Sequence, residues 1–306
     1  MKNYLPTNDL LFKKMLTSED SASILKNFVK DLLGLEFKSL TPKETYHIDS
    51  YKKAFENVEI GLTEVDILAI TEDGSHATIE CQIQPHQYFQ ERTLFYLVEA
   101  FRAAYGNSDA ETFIKKNNFS TLRPAYGINI IDFHLFDKEQ DALQIYRLLN
   151  EKTHQPFLGT KKRELFVLCF LSLKNKHVAP NSASQHWQYF LKTGEVLQGA
   201  PSYIKAAKKK ISYYQLNKEE RTMIMRINKA KAFDDAVRST QLMEALAKRD
   251  REIALNLLKT DLSIIQISEA TGMPVEDIKK LKTANAILLK ANRIGCAKVL
   301  NARNGN

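Results

Sequence analysis

Apolar residues follow a helical period at the beginning of the chain. Over residues 8–34 they recur every three or four positions, which predicts a helical stretch that ends at Gly34. The next segment is less regular, and it predicts one strand near Tyr46–Tyr51 and another near Val58–Ile60. The first sixty residues therefore predict a helical start followed by strands.

Two alternating segments surround a short turn that ends in Gly74. Residues 64–70 and 76–83 each read as a strand with one apolar face and one face that carries the polar side chains. Together they predict a β-hairpin with Gly74 in the left-handed conformation. The register that follows places Asp66 directly opposite Glu80. One face of this hairpin is wholly apolar, and the other collects four polar side chains: Asp66, Glu80, Gln82 and Gln84.

A helix is predicted over Tyr88–Tyr105. Within it, Arg92, Tyr96 and Glu99 follow at i, i+4 and i+7 positions, which lie on one side of a helix. Its inward side is predicted to carry Phe89, Leu94, Leu97, Val98, Phe101 and Ala104. Strands follow over 125–135 and 164–173, and helices over 185–193 and 201–214. Strands interleaved with helices indicate an α/β or α+β architecture.

From residue 218 onward the pattern is entirely helical. A long charged helix over 219–259 precedes two short helices around Gly272, and residues 262–283 together resemble a helix-turn-helix. A basic helix over 284–302 ends the pattern. We therefore predict two domains, with residues 1–217 forming the sheet-containing domain and residues 218–306 forming a basic helical region.

Charge separates the same two regions. The chain of 306 residues has a formal net charge of +8, with 21 Lys and Arg against 11 Asp and Glu in residues 201–306 and 23 against 25 in residues 1–200. The basic surplus predicts a nucleic-acid partner for the C-terminal third. The composition, 44% hydrophobic with 11 Gly and 8 Pro, excludes a disordered or collagen-like chain.

Cysteine spacing and hydropathy bear on location. Three widely separated cysteines support neither a disulfide framework nor a zinc cluster. No apolar stretch approaches the length of a membrane span, and the first residues lack the pattern of a secretory leader. We expect a cytoplasmic protein with no membrane partner.

The opposed carboxylates suggest a metal site. Asp66 and Glu80 repel each other unless a cation lies between them. Mg²⁺, for which Mn²⁺ can substitute, suits one or two carboxylates plus waters, and the backbone carbonyl of Cys81 can complete the shell. Gln82 can orient a water. The alternative is that these residues form the solvated face of an amphipathic hairpin, and the spacing leaves both interpretations open.

These motifs resemble the PD-(D/E)XK nuclease superfamily, and in particular the recombination-promoting nuclease, or transposase-type, family. The resemblance is carried by Asp66 within residues 65–69, by the motif Ile79-Glu80-Cys81-Gln82, and then by Phe89 and Arg92 with Tyr96 four residues later. Residues 8–16, 122–132 and 257–272 resemble further family segments. No piece is specific alone, but their order and spacing together are.

The resemblance implies a restriction-endonuclease-like α/β core, with a mixed central sheet flanked by helices, followed by the all-helical tail. It also implies a metal-dependent DNA endonuclease linked to mobile elements or DNA exchange. Asp66 and Glu80 would be metal ligands, with Gln82 where the superfamily usually has lysine. Asp9 either helps to hold metal-bound water or is a helix N-terminal acid favoured by the helix dipole.

The DNA contacts are less determined. The candidates are Lys13, Arg92, Lys208, Lys209 and Lys210. Arg92 can contact a phosphate, steady the site or form a surface pair with Glu91 or Glu99, and the lysine runs can equally be solvated. The helix-turn-helix-like end either contacts DNA or serves docking or homo-oligomerisation through the C-terminal helices, because its second helix begins with two acids.

Two rival functions stay open. The first is a catalytically inactive DNA-binding or regulatory module that retains the nuclease fold, which would bind DNA in a salt-sensitive way without cleaving it. The second is a true strand-transfer transposase. It is less favoured, because the acidic triad of such enzymes is not evident in the sequence.

Overall fold

The computed structural model describes residues 4–56, 66–103 and 122–284 of the chain. The chain forms two compact units, Met1–Asn228 and Lys229–Asn306. The division lies inside a long helix, whereas the start of the all-helical sequence pattern places the predicted domain boundary at residue 217. The first turns of this helix therefore belong to the unit that contains the sheet.

The first unit is built on a six-stranded mixed sheet with flanking helices. Its strands are β1 (Leu40–Pro42), β2 (Ile67–Thr71), β3 (His76–Gln82), β4 (Ala125–Ile131), β5 (Leu143–Arg147) and β6 (Phe166–Ser172). Its helices are α1 (Asp9–Thr17), α2 (Ala22–Leu33), α3 (Ile48–Glu56), α4 (Phe89–Ala103), α5 (Ala183–Thr193) and α6 (Ser202–Lys210), with 3₁₀ turns at Glu19–Ser21 and Tyr213–Gln215.

The strand order is β1-β2-β3-β4-β6-β5. Strands β3, β4 and β6 run parallel in the middle of the sheet, and the pairs β1–β2, β2–β3 and β5–β6 are antiparallel. This mixed sheet with helices around it confirms the predicted restriction-endonuclease-like α/β fold.

The β2–β3 hairpin has the predicted register. Ile67 pairs with Ile79, and Leu68 pairs with Thr78. Gly74 has φ +80°, and its amide donates to the Thr71 carbonyl at 3.0 Å. This left-handed glycine closes the turn, and continuing the register by one residue sets Asp66 opposite Glu80.

The two faces of the sheet are covered by different helices. Ala77 and Ile79 of β3 belong to the main core together with Phe28 of α2. On the other face, α4 packs against β3, β4 and β6. Gly127 of β4 leaves room for the Leu168 side chain of β6, because a Cβ there would lie 2.7 Å from Leu168 Cδ1, whereas its distance of 3.6 Å to Leu97 Cδ1 of α4 would be an ordinary contact.

Several local predictions need correction. The helical stretch over 8–34 is interrupted around Ser18, which separates α1 from α2. The strand expected near Tyr46–Tyr51 is wrong, because α3 begins at Ile48 and the preceding strand is β1. Strand β5 was not predicted. The strand expected near Val58–Ile60 lies outside the described residues.

Helix α4 lies over the predicted segment but is rotated relative to the predicted inward side. Its buried residues are Phe89, Thr93, Tyr96, Leu97 and Ala100. Leu94 and Val98, which were expected to point inward, are exposed. The expectation was wrong because apolar residues occur on two sides of this helix, and periodicity alone cannot say which side faces the sheet.

The described part of the second unit is helical. Helix α7 (Lys218–Leu257) enters it from the first unit, and α8 (Ile264–Thr271) and a helix over 275–284 follow. Ser263 and Gln266 form a capping box, and Gly272 has φ +70° at the end of α8. These two helices around Gly272 confirm the helix-turn-helix-like arrangement; residues 285–302 lie outside the described part.

A small core holds these helices together. It contains Ala254, Ile267, Ile278 and Leu281. Among the described residues, no helix is long and apolar enough to cross a bilayer.

The start of α7 is tied to α1 by a buried ion pair. Lys14 Nζ lies 2.7 Å from Glu220 Oε1, with 14% and 4% of the two side chains exposed. We expect Lys14→Met to lower the free energy of unfolding by about 3 kcal/mol, because it leaves the Glu220 carboxylate buried without its cation. Urea denaturation measures this loss.

Lys52→Met is the matched control for that substitution. It removes the exposed pair between Lys52 Nζ and Glu219 Oε2, which are 2.6 Å apart, and it should cost less than about 1 kcal/mol. Equal losses in the two variants would contradict the assignment of the Lys14 pair as a structural tie.

Candidate active site

Asp66 lies at the entrance to β2. Its Oδ2 accepts a hydrogen bond from the Cys81 amide at 2.7 Å. Burial and the neighbouring charge of Asp9 raise the pKa of Asp66 to about 7, against the lowering effect of the Cys81 amide and Lys13. The Glu80 charge adds to the increase. This carboxylate is therefore held where its negative charge is poorly compensated.

Glu80 lies on β3 and is buried beneath α4. Burial raises its pKa, and the Arg92 guanidinium opposes this effect. Glu80 Oε2 has no hydrogen-bond partner, although Arg92 Nη2 lies 3.6 Å away. A buried carboxylate oxygen without a hydrogen bond is costly and points to a water or cation as its partner.

Arg92 connects Glu80 to Gln82. The same Nη2 donates to Gln82 Oε1 at 2.8 Å, while Gln82 Nε2 donates to the Gln84 carbonyl at 2.9 Å. Arg92 Nε is buried and has no hydrogen-bond partner. The guanidinium is thus directed into the site; on the helix surface it is Arg102, at 3.1 Å, that pairs with Glu99.

Two aromatic rings surround the Arg92 guanidinium. It lies 5.1 Å from the Phe89 ring centre and 6.0 Å from that of Tyr96. Such rings attract a cation and restrict its movement. Tyr96 is also buried, and burial together with the Glu80 charge raises its pKa, so its hydroxyl stays protonated.

Asp9 approaches from the first turn of α1. Its Oδ2 accepts a hydrogen bond from the Tyr51 hydroxyl at 2.6 Å, and Lys13 Nζ lies 3.6 Å from its Oδ1. Lys13 also lies 5.7 Å from the centre of the Tyr51 ring. Asp9 is close enough to raise the pKa of Asp66 by its charge. Helix α1 therefore places an acid and a lysine beside the hairpin.

Tyr51 is a site residue that the sequence did not indicate. Burial and the Asp9 charge raise its pKa, so it acts as a fixed donor to Asp9. The expected strand near Tyr46–Tyr51 hid this role, because Tyr51 reaches Asp9 only from helix α3. An aromatic residue spaced three positions from Ile48 is the weak helical signal that was available.

The donor set fits a hydrated hard cation. Within residues 4–56, 66–103 and 122–284, no three His, Cys, Asp or Glu side chains form a complete metal-binding group. Mg²⁺ needs only one or two carboxylates because waters fill its remaining positions. A cation would give the buried Glu80 oxygen a partner and would compensate the negative charge of Asp66, whose pKa is raised. These residues therefore fit the metal.

The other predicted ligands and DNA contacts are less concentrated. The Cys81 side chain packs against the main core; the role predicted for its carbonyl stays a prediction. Lys208 pairs with Glu195, Lys210 pairs with Asp20, and Lys209 is exposed. The structure thus gives two of the three lysines a partner within the chain.

The mixed sheet, its flanking helices and the acidic hairpin define a restriction-endonuclease-like nuclease fold. Residues 6–241 match the family model described as PD-(D/E)XK nuclease family transposase, and the chain belongs to this family. The predicted resemblance is therefore confirmed. No curated protein and no solved structure matches the chain. Membership implies a nuclease or transposase-like function, and nucleases of this family generally use divalent metals.

Proposed function

We propose that the protein is a metal-dependent DNA endonuclease that hydrolyses phosphodiester bonds, of the recombination-promoting type. Asp66 and Glu80 would hold Mg²⁺, for which Mn²⁺ can substitute. The observation that carries this proposal is the buried Glu80 oxygen, which has no hydrogen bond and lies on the strand next to Asp66. A merely solvated hairpin face would leave this oxygen in water.

When bound, the metal would lower the pKa of a water and neutralise charge on the phosphate. The residues of the chain have separate tasks. Arg92 supplies the positive charge that Gln82 lacks and fixes the Gln82 amide through its oxygen. An amide has two N–H donors, so Gln82 can still orient a water while it contacts Gln84. Tyr51 holds Asp9 beside the site.

The C-terminal region would supply the wider field for DNA. Residues 201–306 carry ten more basic than acidic residues, counted as 21 against 11. Phosphate contacts by such residues would give DNA binding that weakens steeply with salt. A cytoplasmic location completes this proposal, and homo-oligomerisation stays the alternative to DNA contact for the C-terminal helices.

Plasmid cleavage tests the function. Supercoiled DNA incubated with the protein and Mg²⁺ should give nicked or linear products, and a chelator should stop the reaction. Salt-sensitive binding without cleavage would instead favour the inactive module. Products joined to a second DNA would favour strand transfer over hydrolysis.

Metal binding should strengthen with pH. The pKa of Asp66 is raised to about 7 and that of Glu80 is also raised. Both groups therefore hold protons at pH values where ordinary carboxylates have lost them, and a metal must displace those protons. We expect the apparent Mn²⁺ affinity to rise at least about tenfold from pH 6 to pH 8. Calorimetric titration at several pH values measures it; a flat profile would contradict this prediction.

A further inference from the structure

Helix α4 presents an unusual outer face. Residues Glu91, Phe95, Val98 and Arg102, which we call the outer stripe, follow each other at spacings of four, three and four. This spacing places them on one side of a helix, opposite the buried residues that contact the sheet. Phe95 is 55% exposed and Val98 is 44% exposed.

The apolar part of the stripe is wider than a single exposed side chain. Leu94 flanks it and is 54% exposed. Isolated apolar residues on a surface are ordinary, but adjacent large ones on one helix face are typical of a protein contact. Each end of the stripe carries an exposed charge, and the two charges have opposite signs.

The order of residues in the stripe is complementary to itself when reversed. We propose that α4 binds α4 of a second copy of this chain in an antiparallel pair about a two-fold axis. An axis between Tyr96 and Leu97 sets Phe95 against Val98 of the partner subunit. It also sets Glu91 against Arg102 of the partner subunit. A two-fold axis repeats each contact, so both ends of the pair match in charge.

The spacing of the stripe suits such a pair. Alternating steps of three and four residues produce the seam along which two helices pack at a small crossing angle. The acid lies in the first turn of α4 and the base in its last turn. Both charges are therefore favourable to the helix itself before any partner binds.

The pair would have a consequence for the arrangement of active sites. Arg92 and Tyr96, which face the site, lie on the same helix as the stripe. Two copies joined through α4 would therefore hold their sites on the two outer sides of one helix pair. The pairing itself depends only on the stripe and does not require cleavage.

The expected association is weak. Stable protein–protein interfaces bury about 1,200–2,000 Å² of surface, and a pair of helical stripes buries less than this. We therefore expect a dissociation constant in the micromolar range. Sedimentation equilibrium of the full chain over a wide concentration range measures it. A full chain that stays monomeric up to about 300 μM would overturn the proposal.

Charge reversal gives the sharper test. Glu91→Arg and Arg102→Glu each place like charges at both ends of the pair and should weaken self-association at least about tenfold. Arg102→Glu also breaks the pair with Glu99 within its own helix.

Mixing the two variants makes the ends of a mixed dimer different. At one end the arginine introduced by Glu91→Arg meets the glutamate introduced by Arg102→Glu, and at the other end the native Glu91 meets the native Arg102, so both attractions are restored. Native mass spectrometry should detect mainly the mixed dimer; a statistical mixture would overturn the antiparallel pairing.

The apolar contact has a matched control. Phe95→Ser should weaken association at least about tenfold, because each dimer loses two buried rings. Phe157→Ser removes a ring that is 62% exposed elsewhere in the same unit and should leave association unchanged. Equal effects of the two substitutions would overturn the assignment of the interface to α4.

Discussion

Asp66→Asn should reduce DNA cleavage at least about 1,000-fold while leaving the protein folded. The amide has nearly the shape of the carboxylate, and its oxygen can still accept the Cys81 amide that now lies 2.7 Å from Asp66 Oδ2. It cannot supply the negative charge that a hard cation requires. Initial rates of plasmid nicking at saturating Mg²⁺ measure the loss.

The same substitution should stabilise the metal-free protein. The pKa of Asp66 is raised in the folded state, so the folded protein keeps the Asp66 proton to a higher pH than the unfolded chain does. The contribution of Asp66 to the free energy of unfolding therefore falls as pH rises through about 7. Asparagine does not titrate, so Asp66→Asn avoids this loss of stability. At pH 8 its free energy of unfolding should exceed that of the native chain by about 1–3 kcal/mol. The gain should shrink at pH 5, where Asp66 is protonated.

Asp49→Asn is the matched control, because its side chain is 84% exposed on α3. It should change neither cleavage nor stability appreciably. Wild-type nicking rates in Asp66→Asn would exclude Asp66 as a metal ligand. A loss of cleavage accompanied by a loss of metal-free stability would mean that the substitution acts on folding instead.

The part of the site that was predictable is the part formed by neighbours in sequence. Alternation and a glycine turn determine how β2 and β3 pair, and the pairing determines that Asp66 lies opposite Glu80. Both signals act over fewer than about twenty residues. For this reason the register of the hairpin is predictable from these residues alone, without the rest of the sheet.

The parts that could not be predicted depend on contacts between distant segments. Tyr51 meets Asp9 only because α3 packs beside α1, and no local pattern specifies that packing. Arg92 is similar, because its sequence spacing is equally compatible with a surface pair with Glu99. The structure instead directs Arg92 towards Glu80 and Gln82. Tertiary packing decided between these alternatives.

Helix α4 also shows how a correct element can have the wrong orientation. The apolar pattern predicts that Leu94 and Val98 are buried, but both are exposed. The side of α4 that is buried instead carries Phe89, Tyr96 and Leu97 together with Thr93 and Ala100. Large apolar residues therefore lie on both sides of α4, and hydropathy along the helix does not identify the side that faces the sheet.

Arg92→Gln should lower cleavage about 100–1,000-fold, the range typical for removing one preorganised charge from an active site. Two effects combine. The site loses the positive guanidinium beside Gln82. The Glu80 carboxylate loses the charge that opposes the increase in its pKa. The pH at which cleavage reaches half its maximum should therefore move upward. Nicking rates measured across a pH series check both effects.

Gln82→Lys in the Arg92→Gln background is the decisive variant. A lysine at position 82 would return one positive charge to the site from the strand, as in the usual motif, so the double variant should recover at least about tenfold of the lost rate. Gln82→Lys alone should be less active than the native chain, because its cation would lie against Arg92, whose Nη2 is now 2.8 Å from Gln82 Oε1. If Arg92 only supported packing around Phe89 and Tyr96, a lysine on β3 could not replace it, and the double variant would be no more active than Arg92→Gln.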